Sequence, residues 1–219
     1  MEKQDLISLS PVRIFDAAAK GGLKNGEMGL VTAKKGLGKT SVLVQFGIDF
    51  LLQERHLVHI SFDQHSSNVI AWYDSILSDL AKKKHINLSE ISDDIVRDRT
   101  ILNFNQEKFT LPKVVNTIKA LKDGGIKVSA LIVDGLNVAN TPKEDLEVMA
   151  AFIESEKMTA WFSYTTEADS LKDTLDEYKL SLFFCVAHRS SNGKEVKMNC
   201  LKPIEAVISL DSKTMLMTK

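Results

Sequence analysis

Short apolar runs alternate with longer amphipathic stretches between Met28 and Thr166, and this alternation predicts strands interleaved with helices. Ser10 and Pro11 open a first helix, as cap and as a residue whose missing N–H costs nothing there, and Gly21-Gly22 closes it. Met28-Gly29-Leu30-Val31 reads as a short buried strand, and Val42 to Leu52 as a helix with one wide apolar face. A second strand, Leu57 to Phe62, ends at Asp63 and precedes a helix from Val69 to Leu80, with Val69, Ile70, Trp72, Tyr73, Ile76, Leu77 and Leu80 near one side. The stretch from Leu88 to Asp98 is acidic and weakly patterned, which fits a short helix and loop. Thr100 to Phe104 is the third strand, followed by a helix that starts at Thr110-Leu111-Pro112, runs to Lys122 and stops at Gly124-Gly125.

The fourth strand, Ala130 to Val133, is wholly apolar, as expected of a strand covered on both faces of a parallel sheet, and ends at Asp134-Gly135. Thr141-Pro142-Lys143-Glu144 carries a capping-box signature for a helix to about Glu156. Thr159 to Tyr164 is a fifth strand ending in Thr165-Thr166, and Ser170 to Tyr178 a short helix. The pattern then changes. Leu180 to Val186, Glu195 to Leu201, Ala206 to Leu210 and Thr214 to Met217 are closely spaced strands joined by turns such as Ser191-Asn192-Gly193, which predicts antiparallel strands extending one edge of a mainly parallel sheet. The expected class is a layered α/β domain.

Composition narrows the picture without redirecting it. A chain of 219 residues, 44% hydrophobic, suits one domain over 1–219 with a sizeable core. A formal charge of −1 gives no global drive toward nucleic acid or anionic membrane, and no basic stripe with interleaved aromatics is present. Lys82-Lys83-Lys84, the compact basic run, ends a predicted helix and reads as a solvated face. Cys185 and Cys200 lack a CxxC partner, and the five histidines show no ligand spacing, so neither a disulfide framework nor a metal cluster is expected. Cys185, flanked by Phe183, Phe184 and Val186, reads as a small buried hydrophobe. Met1-Glu2-Lys3-Gln4-Asp5 does not open a signal peptide, and no apolar run approaches the ~20 residues that span a bilayer, so a cytoplasmic location without a membrane partner is expected.

The chemistry is concentrated between the first strand and the helix after it. Thr32-Ala33-Lys34-Lys35-Gly36-Leu37-Gly38-Lys39-Thr40-Ser41 is a loop whose backbone N–H groups and helix dipole converge on one spot, where anions bind. Gly36 and Gly38 let the main chain approach a phosphate chain closely, with Leu37 between them and Ser41 opening the helix. Lys39 can reach β- and γ-phosphates, and the Thr40 hydroxyl can ligate Mg²⁺. The first glycine of GxxxxGK[ST] is replaced by Ala33, which fits a tight turn if its φ stays negative.

Gly21-Gly22-Leu23-Lys24-Asn25-Gly26-Glu27, Gly36-Leu37-Gly38-Lys39-Thr40, Ser61-Phe62-Asp63 and Leu131-Ile132-Val133-Asp134, in this order and spacing, resemble the RecA-like P-loop ATPases, nearest the KaiC and replicative-helicase branch. The resemblance covers most of the chain. It implies a three-layer P-loop fold with a mainly parallel sheet, ATP and Mg²⁺ as cofactors, and self-association, with a protein partner possible beside a second copy. It gives Asp134 the role of ordering Mg²⁺, against a simple turn aspartate before Gly135. Where the family usually carries a glutamate that orients the attacking water, this chain has Asp63, one methylene shorter. Misplacing such a group by about 1 Å can cost on the order of 10²-fold in rate, so slow hydrolysis is expected. Asp63 stands open between this catalytic role, with Lys39, and a local turn or cap, and Gln64 and His65 are neighbouring candidates.

Tyr164, Thr165 and Thr166 stand where helicase relatives carry a γ-phosphate-sensing glutamine, and Lys202-Pro203-Ile204 where ring-forming relatives carry Lys-x-Arg. Arg189, the only late arginine, is open between an arginine finger and a solvated turn residue. These departures point to a site better kept for binding than for turnover. Two alternatives remain: a non-catalytic scaffold or regulatory module on the same fold, and a dimeric ATPase similar to the ParA and MinD partitioning proteins, in which Lys34 would be a signature lysine reaching a partner's phosphates.

Overall fold

The computed structural model describes residues 7–8, 10–84, 92–105, 110–168, 171, 175–191 and 196–218. The expected turn at 192–193, the loop at 88–91 and most of the start of the predicted helix at 170 lie outside them. The elements are α1 (Val12–Ala18), β1 (Met28–Ala33), α2 (Lys39–Leu52), β2 (His56–Ser61), α3 (Ser66–Lys84), α4 (Ser92–Arg97), β3 (Arg99–Asn103), α5 (Leu111–Asp123), β4 (Val128–Asp134), α6 (Lys143–Ser155), β5 (Thr159–Thr165), α7 (Glu177–Ser181), β6 (Cys185–Ser191), β7 (Val196–Lys202), β8 (Ala206–Leu210) and β9 (Met217–Thr218).

The strands form one nine-stranded sheet in the order β3-β2-β4-β5-β1-β6-β7-β8-β9. β3 through β6 run parallel, and β7, β8 and β9 continue the edge antiparallel. The mainly parallel sheet with an antiparallel C-terminal extension is therefore present, as the sequence pattern predicts. Its first late strand differs from expectation: β6 pairs parallel with β1, matching Ala33 to Arg189, so antiparallel pairing starts one strand later. Leu180 and Ser181, predicted as strand, lie in α7, where the Asp176 carboxylate accepts the Lys179 N–H at 2.7 Å. At the far end only Met217 and Thr218 pair, because Asp211 accepts the N–H groups of Lys213 and Thr214 and folds that segment into a turn.

Strand side chains alternate between two buried layers, as the period of 2 requires. On one face Val31, Ala130, Ile132 and Trp161 pack under α1, α2 and α3. On the other, Leu30, Leu131, Val133 and Phe162 meet Val114, Ile118, Leu146 and Met149 of α5 and α6. Helices on both faces of the sheet make the three layers of an α/β fold, as the resemblance implies.

α2 is buried at every residue, beyond the single apolar face that its sequence predicts. Its polar positions are consumed by contacts. Asp49 accepts from Arg13 of α1 and from Gln53 Nε2, and Gln45 donates to the Met215 carbonyl while accepting the Met217 N–H, both at 2.9 Å. Ile70, expected on the apolar side of α3, is exposed, whereas Val69, Tyr73 and Ile76 are buried. The capping box at Thr141 does not form: its hydroxyl donates to the Asn137 carbonyl at 2.8 Å and α6 starts without a side-chain cap. At α1 the cap position falls on Pro11, one residue after the expected Ser10, whose Oγ still accepts the Val12 N–H at 3.3 Å. Among the described residues, no helix is long and apolar enough to cross a membrane.

Candidate functional site

β1, β4, β5 and β6 all point their C-terminal ends to the same rim of the sheet, where ligands of parallel α/β sheets bind. The loop from Lys34 to Gly38 leaves β1 at that rim and feeds α2. Gly36 and Gly38 have φ of +80° and +70°, the left-handed region that favours glycine, and Gly38 is the N-cap of α2. Ala33 ends β1 fully buried and is not among the positive-φ residues, so the missing first glycine demands no special backbone. Leu37 is half-buried, Lys34 half-buried, and Lys35 and Gly36 are exposed on the outside of the loop.

Lys39 opens α2 and folds back over the loop, its Nζ donating to the carbonyls of Ala33 and Lys34 at 3.3 Å each. Burial holds its pKa below the usual lysine value; Asp134 and Asp63 pull it upward, and Arg189 pushes it down further. Thr40 Oγ1 donates to Asp134 Oδ2 at 2.7 Å and accepts from Gln64 Nε2 at 2.9 Å. Ser163 Oγ donates to the other oxygen of Asp134 and accepts the Gly135 N–H at 2.8 Å. Asp134 is only 2% exposed; burial raises its carboxyl pKa, and the hydrogen bonds from Ser163 and Thr40 oppose that rise. Ser41 Oγ closes the first turn onto the Gly38 carbonyl at 2.7 Å.

Asp63 lies at the edge of this group. Its carboxylate packs against Gly135, where a Cβ would come within 2.6 Å of Asp63 Cγ, while much of the residue faces solvent. Desolvation on the packed side and repulsion from Asp134 raise its pKa. It does not cap α3. That place is taken by His65, whose carbonyl accepts the Asn68 N–H at 2.9 Å and whose Nδ1 meets Ser67 Oγ at 2.9 Å.

The sequence-predicted residues thus converge unequally. Lys39, Thr40, Ser41, Gly38 and Asp134 stand together, Asp63 beside them, Gly36 lies exposed in the loop, and Gln64, a neighbouring candidate, touches Thr40 directly. His65 is drawn off to the helix start, and Lys202 donates to the carbonyls of Leu180 and Phe183, tying down the segment before β6. Arg189 is neither solvated nor in a turn: it is 1% exposed within β6, with Nη1 against Gly38. Ser163 escaped the sequence reading, although a lone hydroxyl in the apolar run Ala160 to Tyr164 was its signal.

Threonine, carboxylate and amide oxygens are hard donors of the kind Mg²⁺ prefers. The buried Asp134 carboxylate, with no lysine or arginine bonded to it, is a fitting place for a divalent cation, and Thr40 and Asp134 would hold it. Among the described residues no three His, Cys, Asp or Glu side chains cluster to cage a metal unaided. A Mg²⁺ here would complete its shell with phosphate oxygens and water, as Mg²⁺ commonly does. Such an ion would supply charge neutralisation of the phosphate chain.

The KaiC ATPase family model matches residues 10–196, which takes in the loop, the sheet through β6 and every residue of the site. No curated protein matches the chain at a significant level. A Gly-Lys-Thr loop between β1 and α2, an acidic end to β4 and the extent of the family match together make this chain a member of the KaiC ATPase family, on a RecA-like P-loop fold.

Proposed function

We propose that the chain binds Mg·ATP at this loop and works as a nucleotide-dependent switch with slow turnover. The observation that carries the proposal is the convergence of Lys39 and Thr40, at the first two residues of α2, with the buried Asp134 at 2.7 Å from the Thr40 hydroxyl. In this reading the loop N–H groups and Lys39 take the β- and γ-phosphates, and Thr40 and Asp134 hold the ion. Gln64 orients the Thr40 hydroxyl.

Slow turnover is supported by the group that would activate water. Asp63 is short, half-turned to solvent and packed on Gly135, a poor posture for a general base. No free late Lys-x-Arg pair serves a neighbouring site, since Lys202 is engaged within its own chain. The proposal extends to self-association: the exposed outer edge of the loop, at Lys35 and Gly36, leaves bound phosphates within reach of a second copy.

The test is Lys39→Ala. Equilibrium binding of a fluorescent ATP analogue with Mg²⁺ should weaken by about 100-fold or more, since loss of a charged hydrogen-bond donor leaves a buried phosphate uncompensated. Unchanged affinity in a folded variant would sink the reading.

A further inference from the structure

Arg189 is the most deeply buried lysine or arginine in the described structure, and two of its three side-chain nitrogens lack a hydrogen-bond partner. A guanidinium carries five N–H donors. Here Nη2 meets only the thioether of Met215, at 2.9 Å and a weak acceptor, while Nε and Nη1 have no hydrogen-bond partner. Among the described residues no carboxylate pairs with it, and burial brings the arginine pKa down to about 10. A buried charge left in that state is costly to the fold and calls for a reason.

Its position supplies one. Arg189 stands on β6 directly beside Ala33, the last residue before the loop. Nη1 rests so close to Gly38 that a Cβ there would fall 2.4 Å from it, and the same point is 3.0 Å from Ser41 Oγ. The guanidinium therefore touches the loop on the side of Ser41, while Thr40 bonds to Asp134 and Gln64 on the other. Met215 holds it there: the turn bearing Met215 is fastened to α2 through both ends of the Gln45 amide. Arg189 and Lys39 are close enough to repel, so two cations converge on one glycine loop at a helix N-terminus.

We propose that Arg189 is a ligand of the nucleotide's phosphate chain, supplied from within the same chain, on the flank of the loop opposite Thr40 and Asp134. The proposal rests on the nucleotide-binding reading of the loop. A multiply charged phosphate chain relieves the repulsion between the two cations and gives the idle Nη1 donor beside Gly38 the charged oxygen acceptor it lacks. The same residue cannot then serve as a finger for a neighbouring subunit. Any such finger has to come from elsewhere.

The experiment compares wild type, Arg189→Met and Arg189→Lys, measuring Mg·ATP and Mg·ADP affinity by calorimetry and thermal midpoints with and without nucleotide. Arg189→Met removes an unpaired buried charge, so its nucleotide-free midpoint should equal or exceed that of wild type. Its affinity for both nucleotides should fall by about tenfold or more, the loss expected for a charged hydrogen bond, and Arg189→Lys should recover part of it. Wild-type affinity in Arg189→Met would overturn the proposal and leave the nucleotide site standing. So would a lower nucleotide-free midpoint with an undiminished shift on adding Mg·ATP, or failure of both variants to fold, because each assigns the arginine to packing. Absence of binding in wild type itself would instead remove the reading of the loop on which this one depends.

Discussion

His59 on β2 is fully buried, with Nδ1 3.0 Å from the Tyr73 hydroxyl and no partner for Nε2. Burial, helped by the nearby positive Arg99, presses its pKa from 6.5 to about 3. The folded protein therefore keeps this imidazole neutral while the unfolded chain protonates it below about pH 6.5. Its contribution to stability is complete above that pH and is lost as the pH falls toward about 3, at a limiting slope of about 1.4 kcal/mol per pH unit. His59→Asn, polar but not protonatable, is predicted to lose less stability than wild type in urea unfolding between pH 6 and pH 4. Parallel stability curves over that range would show that His59 does not titrate on unfolding. Asp16, with a carboxyl pKa raised to about 6 chiefly by burial, acts in the opposite sense, but it is common to both proteins and cancels in their difference. Residue chemistry of this kind is only partly legible in a sequence. Cys185 was readable as a buried hydrophobe, and its thiol pKa is indeed pushed up to about 12 by burial. The isolation of Arg189 was not, because a late arginine beside Ser190 and Ser191 has the local polarity of a turn.

At the scale of elements, the helix that carries the loop is seated by an aromatic cluster. Phe46 of α2 stacks on Trp161 of β5 with centroids 4.1 Å apart, and Phe15 of α1 meets both rings edge-on, at 5.1 Å and 5.3 Å. The Trp161 ring lies across Gly29 of β1, where an added Cβ would come within 2.5 Å of it. Gly29→Ala is predicted to push the indole off its place and to lower stability by roughly 1–3 kcal/mol, the usual cost of overpacking a tight core. Chemical denaturation measures this directly, and a change under about 0.5 kcal/mol would mean that the ring has room to move. Element positions were well marked in the chain wherever burial was two-sided, as in β1, β4 and β5, because continuous apolar runs have few other uses. The breaks at Gly124-Gly125 were equally plain: Gly125 has φ of +94° and its N–H closes onto the Lys122 carbonyl. Less legible were the ends set by long-range contacts. Thr141 turns to Asn137 instead of capping α6, and the all-round burial of α2 depends on Gln45 and Asp49 finding partners 170 and 36 residues away.

For the whole molecule, the sheet order does the assembling. β5 stands between β1 and β4, and its Ser163 reaches Asp134 and the Gly135 N–H, so the loop and the acidic strand end are held in one frame by the strand between them. The glycine loop and Asp134 were readable because their spacing and flanking runs carry the pattern; Ser163 was not, since sequence does not tell which strands become neighbours. In the function proposed here this frame serves to bind nucleotide, and the short, partly solvated Asp63 keeps hydrolysis slow. Titration of Mg·ATP into the purified protein by calorimetry tests both halves in one record. The predicted result is a saturable binding isotherm with little sustained heat after each injection. No saturable binding would contradict the nucleotide site, and strong continuing heat of turnover would contradict the slow switch.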